Sequence, residues 1–165
     1  MQSVLALLSV EHSRPCNIAL QPPDMLHIRE ADYESDRAVL MRIRFGVFVD
    51  EQHVPPSLET DDRDPFCIHL LAFEDEEAIA TGRIDLQQGG KIGRVAVLAS
   101  KRRQGTGAAL MERLHEVAKR NGLSNVWCNA QVAVVPFYEN LGYQTAGDTF
   151  YEAGIEHVRM ERQIP

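Results

Sequence analysis

The sequence predicts a mixed α/β (α+β) domain, with a central mixed sheet of about six to seven strands and helices on both of its faces. Three observations lead there. Strand-like and helix-like periodicities follow one another in the order βα(α)βββαβαββ. A β-branched run over residues 92–98 enters a basic turn, punctuated by Gly105 and Gly107, that opens a helix. Finally, 165 residues with 44% apolar and 25% charged side chains suffice for one globular domain with a substantial core.

Each element has its own signal. Residues 27–30 read as a short strand, and Asp32 can cap the helix that follows. That helix is expected to turn Ala38, Met41, Ile43, Phe45 and Phe48 toward a core and to end near Asp50, because Pro55 and Pro56 forbid simple continuation. Past an acidic loop, residues 68–73 and 78–85 read as strands joined by the polar turn 74–77, and 87–90 is a second turn. After the strand over 92–98, Leu110, Met111, Leu114, Val117 and Ala118 mark the clearest helix, ended by Asn121-Gly122. Residues 125–130, 143–150 and 155–161 complete the strands.

Residues 25–165 are expected to form that single domain. Pro15, Pro22 and Pro23 interrupt a segment without helical or strand period, so residues 1–24 are expected to be a poorly ordered extension. The opening ten residues are mildly apolar but lack a basic lead and run into Glu11, which does not fit a signal peptide. No apolar run approaches the roughly 20 residues that span a bilayer. Cys16, Cys67 and Cys128 are odd in number, show no metal-binding spacing and fit a reducing cytoplasm; no metal is expected.

Charge is unevenly placed. Eight Lys or Arg against Glu112 and Glu116 give residues 91–120 a local charge of +6, whereas residues 50–64 carry −5 in a chain of net charge −7. The overall deficit of cations argues against nucleic acid as a partner. The first region suits an anionic ligand and the second a cationic one. Where the strand over 92–98 ends, the main-chain N–H groups near residues 103–108 converge at a helix N-terminus, whose unpaired donors and dipole favour phosphate. The glycine spacing fits neither a nucleoside-triphosphate loop nor a dinucleotide fingerprint.

What stands there is Arg102-Arg103-Gln104-Gly105-Thr106-Gly107, and downstream comes Pro136-Phe-Tyr-Glu-Asn-Leu-Gly-Tyr143. The pair resembles, in the right order, the pyrophosphate loop and the Phe-Tyr-x-x-Leu-Gly signature of the GNAT superfamily of N-acetyltransferases. Arg44-Phe-Gly-Val-Phe-Val-Asp-Glu-Gln52, Glu59-x-Asp61-x-x-Asp64-Pro-x-x-x-His69, Gly82-Arg83 and Ile92-Gly-Arg94-Val-Ala-Val97 are similar to the ElaA/YjcF-like branch, so the likeness covers residues 26–162. Departures are local: Ala99 replaces a usual Pro, Arg103 a usual Gly, and Asn129 a frequent His.

The resemblance implies acetyl-CoA as cosubstrate, bound by Arg102, Arg103, Gln104, Gly105, Thr106, Gly107 and Ala108. It further implies that the strand carrying Val95, Ala96 and Val97 parts from its neighbour and pairs with the pantetheine arm; a fully paired central strand is the alternative reading. Asn129 and Phe137 would flank that arm, although Phe137 suits a core position equally. Tyr138 would be the acid that protonates the departing thiolate, against the alternative of a packed helix residue. Glu51, Asp61, Asp64 and His69 match the branch pattern and could line an acceptor pocket. Arg83 and Arg94, charged inside strands, need either substrate or internal partners. His157 has no assigned role, and a catalytic thiol at Cys128 stays open. The implied function is transfer of an acetyl group to a primary amine of a small molecule or peptide, by a monomer or homodimer away from membranes. A non-catalytic acyl-CoA sensor is the alternative.

Overall fold

The structure is a computed structural model and describes residues 26–165; the expectations for residues 1–24, including Cys16, lie outside the described residues. Seven strands form one sheet in the order β1-β2-β3-β4-β5-β7-β6. They are β1 (Leu26–Ala31), β2 (Ile68–Glu74), β3 (Glu77–Asp85), β4 (Lys91–Val97), β5 (Asn125–Gln131), β6 (Gln144–Glu152) and β7 (Ile155–Gln163). All neighbouring pairs are antiparallel except β4 and β5. A parallel pair needs a crossover, which helix α3 (Thr106–Arg120) supplies.

The helices divide between the faces as expected. On one face Leu110, Met111, Leu114, Val117 and Ala118 of α3 are fully buried against Leu70, Ala80, Ile84, Val95 and Val97. On the other, α1 (Tyr33–Arg44) sets Leu40 and Ile43 against Leu71, Ala78 and Ala96. Fully burying a Leu or Ile contributes about 1.5–3 kcal/mol, so these two layers fix how the sheet is held. Gly82 lets α3 lie close on β3: a Cβ there would stand 3.1 Å from Leu114 Cδ1 and 3.3 Å from Val95 Cγ2. The helix ends as Asn121-Gly122 predicts, with Gly122 at φ 77°, its N–H bonded to the Lys119 carbonyl and the Leu123 N–H to that of Ala118.

The first helix departs from expectation. Asp32 caps it through its side chain on the Ser35 N–H, but after Arg44 the winding loosens into a π-helical stretch over Phe45–Glu51. Of the residues expected to face the core, Ile43 and Phe48 are buried, Met41 and Phe45 half-buried and Ala38 exposed, while Leu40, Arg44 and Val47 are buried as well. Such irregular turns recur at functional sites because they re-aim side chains. Here the stretch delivers Phe48, Glu51 and Gln52 toward the ends of β4 and β5. A short helix, α2 (Pro56–Glu59), and the acidic loop then cross the same face.

Candidate active site

The site grows from an irregularity in β4. Arg94 sits at φ 52°, and β4 has two residues between the pairs Arg83↔Gly93 and Thr81↔Ala96 where β3 has one. This bulge shifts the alternation, so Ile92 and Val95 both face α3 while Arg94 turns to the opposite side. Beyond it, β4 leaves β5. Only Lys91↔Trp127 is in register between them, while β5 stays paired with β7 from Asn125 to Gln131. Val95, Ala96 and Val97 therefore lie on a strand bonded to β3 on one side and splayed from β5 on the other.

The splay opens toward the loop before α3. Left-handed backbone at Arg103 (φ 61°) and Gly105 (φ 85°) curls that loop, and the first intrahelical bond runs from the Ala109 N–H to the Gly105 carbonyl at 3.0 Å. The preceding N–H groups have no acceptor within the helix, and Gly105, as cap, has no side chain to provide one. Side chains of the loop are turned elsewhere: Arg102 donates to the Val97 carbonyl (2.8 Å) and to Glu51 (2.7 Å), and Gln104 to the Ser100 carbonyl. Thr106 is 1% exposed, yet its Oγ1 has no hydrogen-bond partner. A buried hydroxyl costs free energy unless satisfied. The donor set of this cradle, main-chain N–H groups plus one orphaned hydroxyl at a helix N-terminus, fits a diphosphate.

Tyr138 lies on α4 (Val135–Asn140), on the α3 side of the splay. It is 1% exposed, its ring meets Phe137 and Tyr143 edge-on at 5.3 and 5.4 Å, and its hydroxyl bonds the Cys128 thiol. Burial pushes the phenol well above its ordinary pKa and pushes the Cys128 thiol up to about 12. Tyr138 is thus a protonated donor, and Cys128 is an inert thiol rather than a nucleophile. Among the described residues, no three His, Cys, Asp or Glu gather in an arrangement that could hold a metal ion.

The acidic loop is not the open acceptor surface that its charge suggests. Arg44, fully buried, pairs with Glu59 and with both oxygens of Asp64 (2.9 and 3.1 Å). Arg83 pairs with Asp64 and with both oxygens of Asp61 (2.8 and 2.7 Å). Arg94 reaches Asp61 at 3.1 Å and the Leu58 carbonyl at 3.2 Å. Three guanidinium groups meet three carboxylates. His69 stacks on Tyr33 and contacts the Asp64 carbonyl at 2.8 Å through Nε2. Asp61 and Asp64 ionise below the usual carboxylate range despite burial, because the arginines beside them hold the charge. Burial dominates at Glu59, whose pKa is raised, and at Arg94, lowered to about 10. Of the residues expected near an acceptor, Glu51 alone stands at the cradle, on Arg102. Asp64, His69 and Arg83 are brought together, but inside the network.

A different set lines the small pocket at the mouth of the splay: Phe48, Gln52, Arg94, Gln131, Glu152 and His157. Gln131 donates to Gln52 at 3.1 Å. His157, which had no assigned role, stacks on Phe150 and contacts the Ile155 carbonyl. Strand alternation could have revealed Gln131, which shares with Trp127 and Asn129 the face of β5 opposite Val126, Cys128 and Ala130. Glu152 carries no such signal, since its place depends on the hairpin between β6 and β7.

The model of the acetyltransferase (GNAT) domain matches residues 32–164. The uncharacterized N-acetyltransferase YjcF of Bacillus subtilis is 37% identical over 120 residues, covering 72% of this chain and 86% of that one. ElaA of Escherichia coli is 30% identical over 131 residues, covering 76% and 86%; its crystal structure superposes with a TM-score of 0.75 at 26% identity, over 84% of this chain and 99% of that chain. An acyl-CoA N-acyltransferase from Pseudomonas aeruginosa gives 0.73 at 29% identity, over 83% and 98%. With the splayed strands and the open cradle, these likenesses make the chain a member of the GNAT acetyltransferase family, an acyltransferase enzyme of its ElaA/YjcF-like branch.

Proposed function

We propose that the protein transfers an acetyl group from acetyl-CoA to a primary amine of a small molecule or peptide, by direct attack of the amine on the thioester. The observation that carries this reading is the splay of β4 from β5 leading into a cradle whose donors lack acceptors. In it, the main-chain N–H groups of Arg103 to Ala108 and the Thr106 hydroxyl hold the diphosphate. Arg102 and Gln104 brace the loop through the carbonyls of Val97 and Ser100. The freed edge at Val95, Ala96 and Val97 pairs with the pantetheine amides as an added strand would, with Asn129 and Phe137 beside it. Acetyl-CoA, when bound, supplies an activated acyl carbon and a thiolate leaving group.

The protein's own groups then have three tasks. A main-chain N–H of β4 stabilises charge growing on the acyl oxygen. Tyr138, held protonated by burial, gives its proton to the leaving sulfur. The amine must shed a proton from a group whose ordinary pKa is about 10.4, for which Glu51 and Glu152 stand at the mouth of the splay. Asp64, His69 and Arg83 serve by fixing the loop that walls this region. The free thiols Cys67 and Cys128 suit a cytoplasmic setting, and among the described residues no helix is long and apolar enough to cross a membrane.

Calorimetry with CoA, with thiol release from acetyl-CoA and a panel of amines, tests the reading. Binding should be saturable and should weaken at least about 100-fold in Gly105→Val, since a branched side chain at positive φ distorts the cradle. Absence of heat from CoA and acetyl-CoA in the folded protein would falsify the proposal. Heat without thiol release from any amine would leave a binding module.

A further inference from the structure

Tyr138 has one hydrogen to give, and its neighbours decide where that hydrogen points. The ring is held on the α3 side of the sheet, edge-on to Phe137 and Tyr143. Cys128 reaches its hydroxyl from β5, on the face shared with Val126 and Ala130. That cysteine follows directly on Trp127, which forms the one row where β4 and β5 are in register, so the bond between phenol and thiol lies at the apex of the splay. Pairing with Met160 of β7 keeps Cys128 in place where β4 departs.

The titratable groups that face the phenol are Cys128 and Tyr143. Tyr143 engages His115 of α3 through its own hydroxyl (2.8 Å), with Glu112 of α3 and Arg162 of β7 behind. Cys128 is therefore the group that answers to the Tyr138 oxygen. A phenol and a thiol each carry one hydrogen, so the bond between them has two senses. With Tyr138 donating to sulfur, its hydrogen is turned away from a ligand in the splay. With Cys128 donating to the Tyr138 oxygen, the phenol hydrogen is free for a thiolate formed there. Burial keeps both groups protonated at neutral pH, so the thiol has a hydrogen to donate.

We propose that Cys128 is the positioning residue of the proton donor: its S–H donates to the Tyr138 oxygen, turns the phenol hydrogen into the splay and stabilises the phenolate left after transfer. This rests on the acetyl-transfer reading, in which Tyr138 is the acid. In that step the bond from the acyl carbon to the CoA sulfur breaks and its electron pair goes to sulfur. The Tyr138 O–H bond breaks as an S–H bond forms on CoA, and the negative charge passes to the Tyr138 oxygen. A phenolate sealed in an apolar site is costly without a donor, and the Cys128 S–H is the donor at hand. A proton from solvent, equal to the one the attacking amine releases, then restores the phenol, so Cys128 keeps its own hydrogen throughout.

Thiol release from acetyl-CoA by the full-length protein, with the amine that the wild type turns over fastest, tests this. Cys128→Ser, which keeps one hydrogen to donate, should hold kcat within about threefold of wild type. Cys128→Ala and Cys128→Val have no donor and should lower kcat about tenfold, while KM for acetyl-CoA and the calorimetric affinity for CoA stay unchanged. One is smaller than the thiol and the other larger, so one remains should the other fail to fold. In a Tyr138→Phe background Cys128→Ala should change kcat less than about twofold, because it acts through the phenol; damage to packing would slow both backgrounds alike. Equal kcat in wild type and Cys128→Ala, no rescue by Cys128→Ser, or an equal loss in the Tyr138→Phe background would each overturn the Cys128 assignment and leave acetyl transfer standing. CoA binding without thiol release from any amine would overturn the transfer reading itself, and the role of Cys128 with it.

Discussion

Two strongly charged stretches, residues 50–64 and 91–120, look like mirror images in the sequence and behave as opposites in the fold. In the acidic loop, Glu59, Asp61 and Asp64 are inside, matched by Arg44, Arg83 and Arg94. In the basic stretch, the groups left open are main-chain N–H donors and the Thr106 hydroxyl, while the arginine that opens the loop is tied to Val97 and Glu51. The difference shows that the sign of a segment's charge does not say what it binds. The cradle leaves its donors open to a ligand, whereas the carboxylates of the acidic loop meet arginines of the protein itself and form a wall, with Glu59 Oε2 and His69 Nδ1 of that cluster lacking a close hydrogen bond.

The harshest way to break the comparison is Asp64→Ala. It removes the carboxylate shared by Arg44 and Arg83 and leaves two buried guanidinium groups short of a partner, which should cost about 3–5 kcal/mol of stability. Urea unfolding measures this, and a loss below about 1 kcal/mol would mean that the loop is not anchored as described. On the other side, Tyr138→Phe should leave the protein folded and its affinity for CoA unchanged while lowering kcat about 100-fold. Unaltered turnover would remove Tyr138 from the mechanism.

Much of this architecture was legible beforehand because it is local. The α3 stripe, the Asn121-Gly122 stop and the strand entering the cradle depend on neighbours within a turn or two, and all stand where the periodicity puts them. What escaped depends on contacts between distant segments. Nothing around Arg44 announces that its side chain meets Glu59 and Asp64, because those partners lie 15 and 20 residues further along the chain. The π-helical turn over Phe45–Glu51 was not foreseen either, since no residue type encodes it, and it leaves Phe45 half-buried. The acidic loop, expected to line an acceptor pocket, instead pairs Asp61 and Asp64 with Arg83 and Arg94 of β3 and β4, the internal partners that charged residues inside strands require.

Acidification sharpens the contrast further. His115, on α3, accepts from Arg162 at Nδ1 (2.5 Å) and so donates from Nε2 to the Tyr143 hydroxyl (2.8 Å), an arrangement that requires the neutral ring. Burial first, then Arg162, lowers its pKa to about 4. The unfolded chain, with a pKa near 6.5, binds this proton earlier. Stability should therefore fall as pH drops from about 6.5 toward 4, by on the order of 2–3 kcal/mol. His69, also held low by burial, adds the same sign, whereas Glu59, held high, opposes it. The informative measurement is the difference between wild type and His115→Gln, which preserves a donor and an acceptor without titrating. Parallel stability curves for the two across this range would show that His115 takes up its proton in the folded state.

The smallest effect concerns the cradle itself. Arg103 occupies φ 61°, a conformation that costs a residue with a Cβ about 1–2 kcal/mol and that Gly adopts freely, though Gly also gives the unfolded chain more freedom to lose. Arg103→Gly should therefore raise stability by no more than about 1 kcal/mol, read as a small upward shift of the thermal midpoint. CoA affinity distinguishes two roles for the position. If the backbone alone holds the diphosphate, affinity stays within about threefold of wild type; if the exposed guanidinium also reaches a phosphate, it drops about tenfold and the loss shrinks with added salt. The first outcome is expected, because the cradle is defined by main-chain donors and by the Thr106 hydroxyl, none of which this substitution removes.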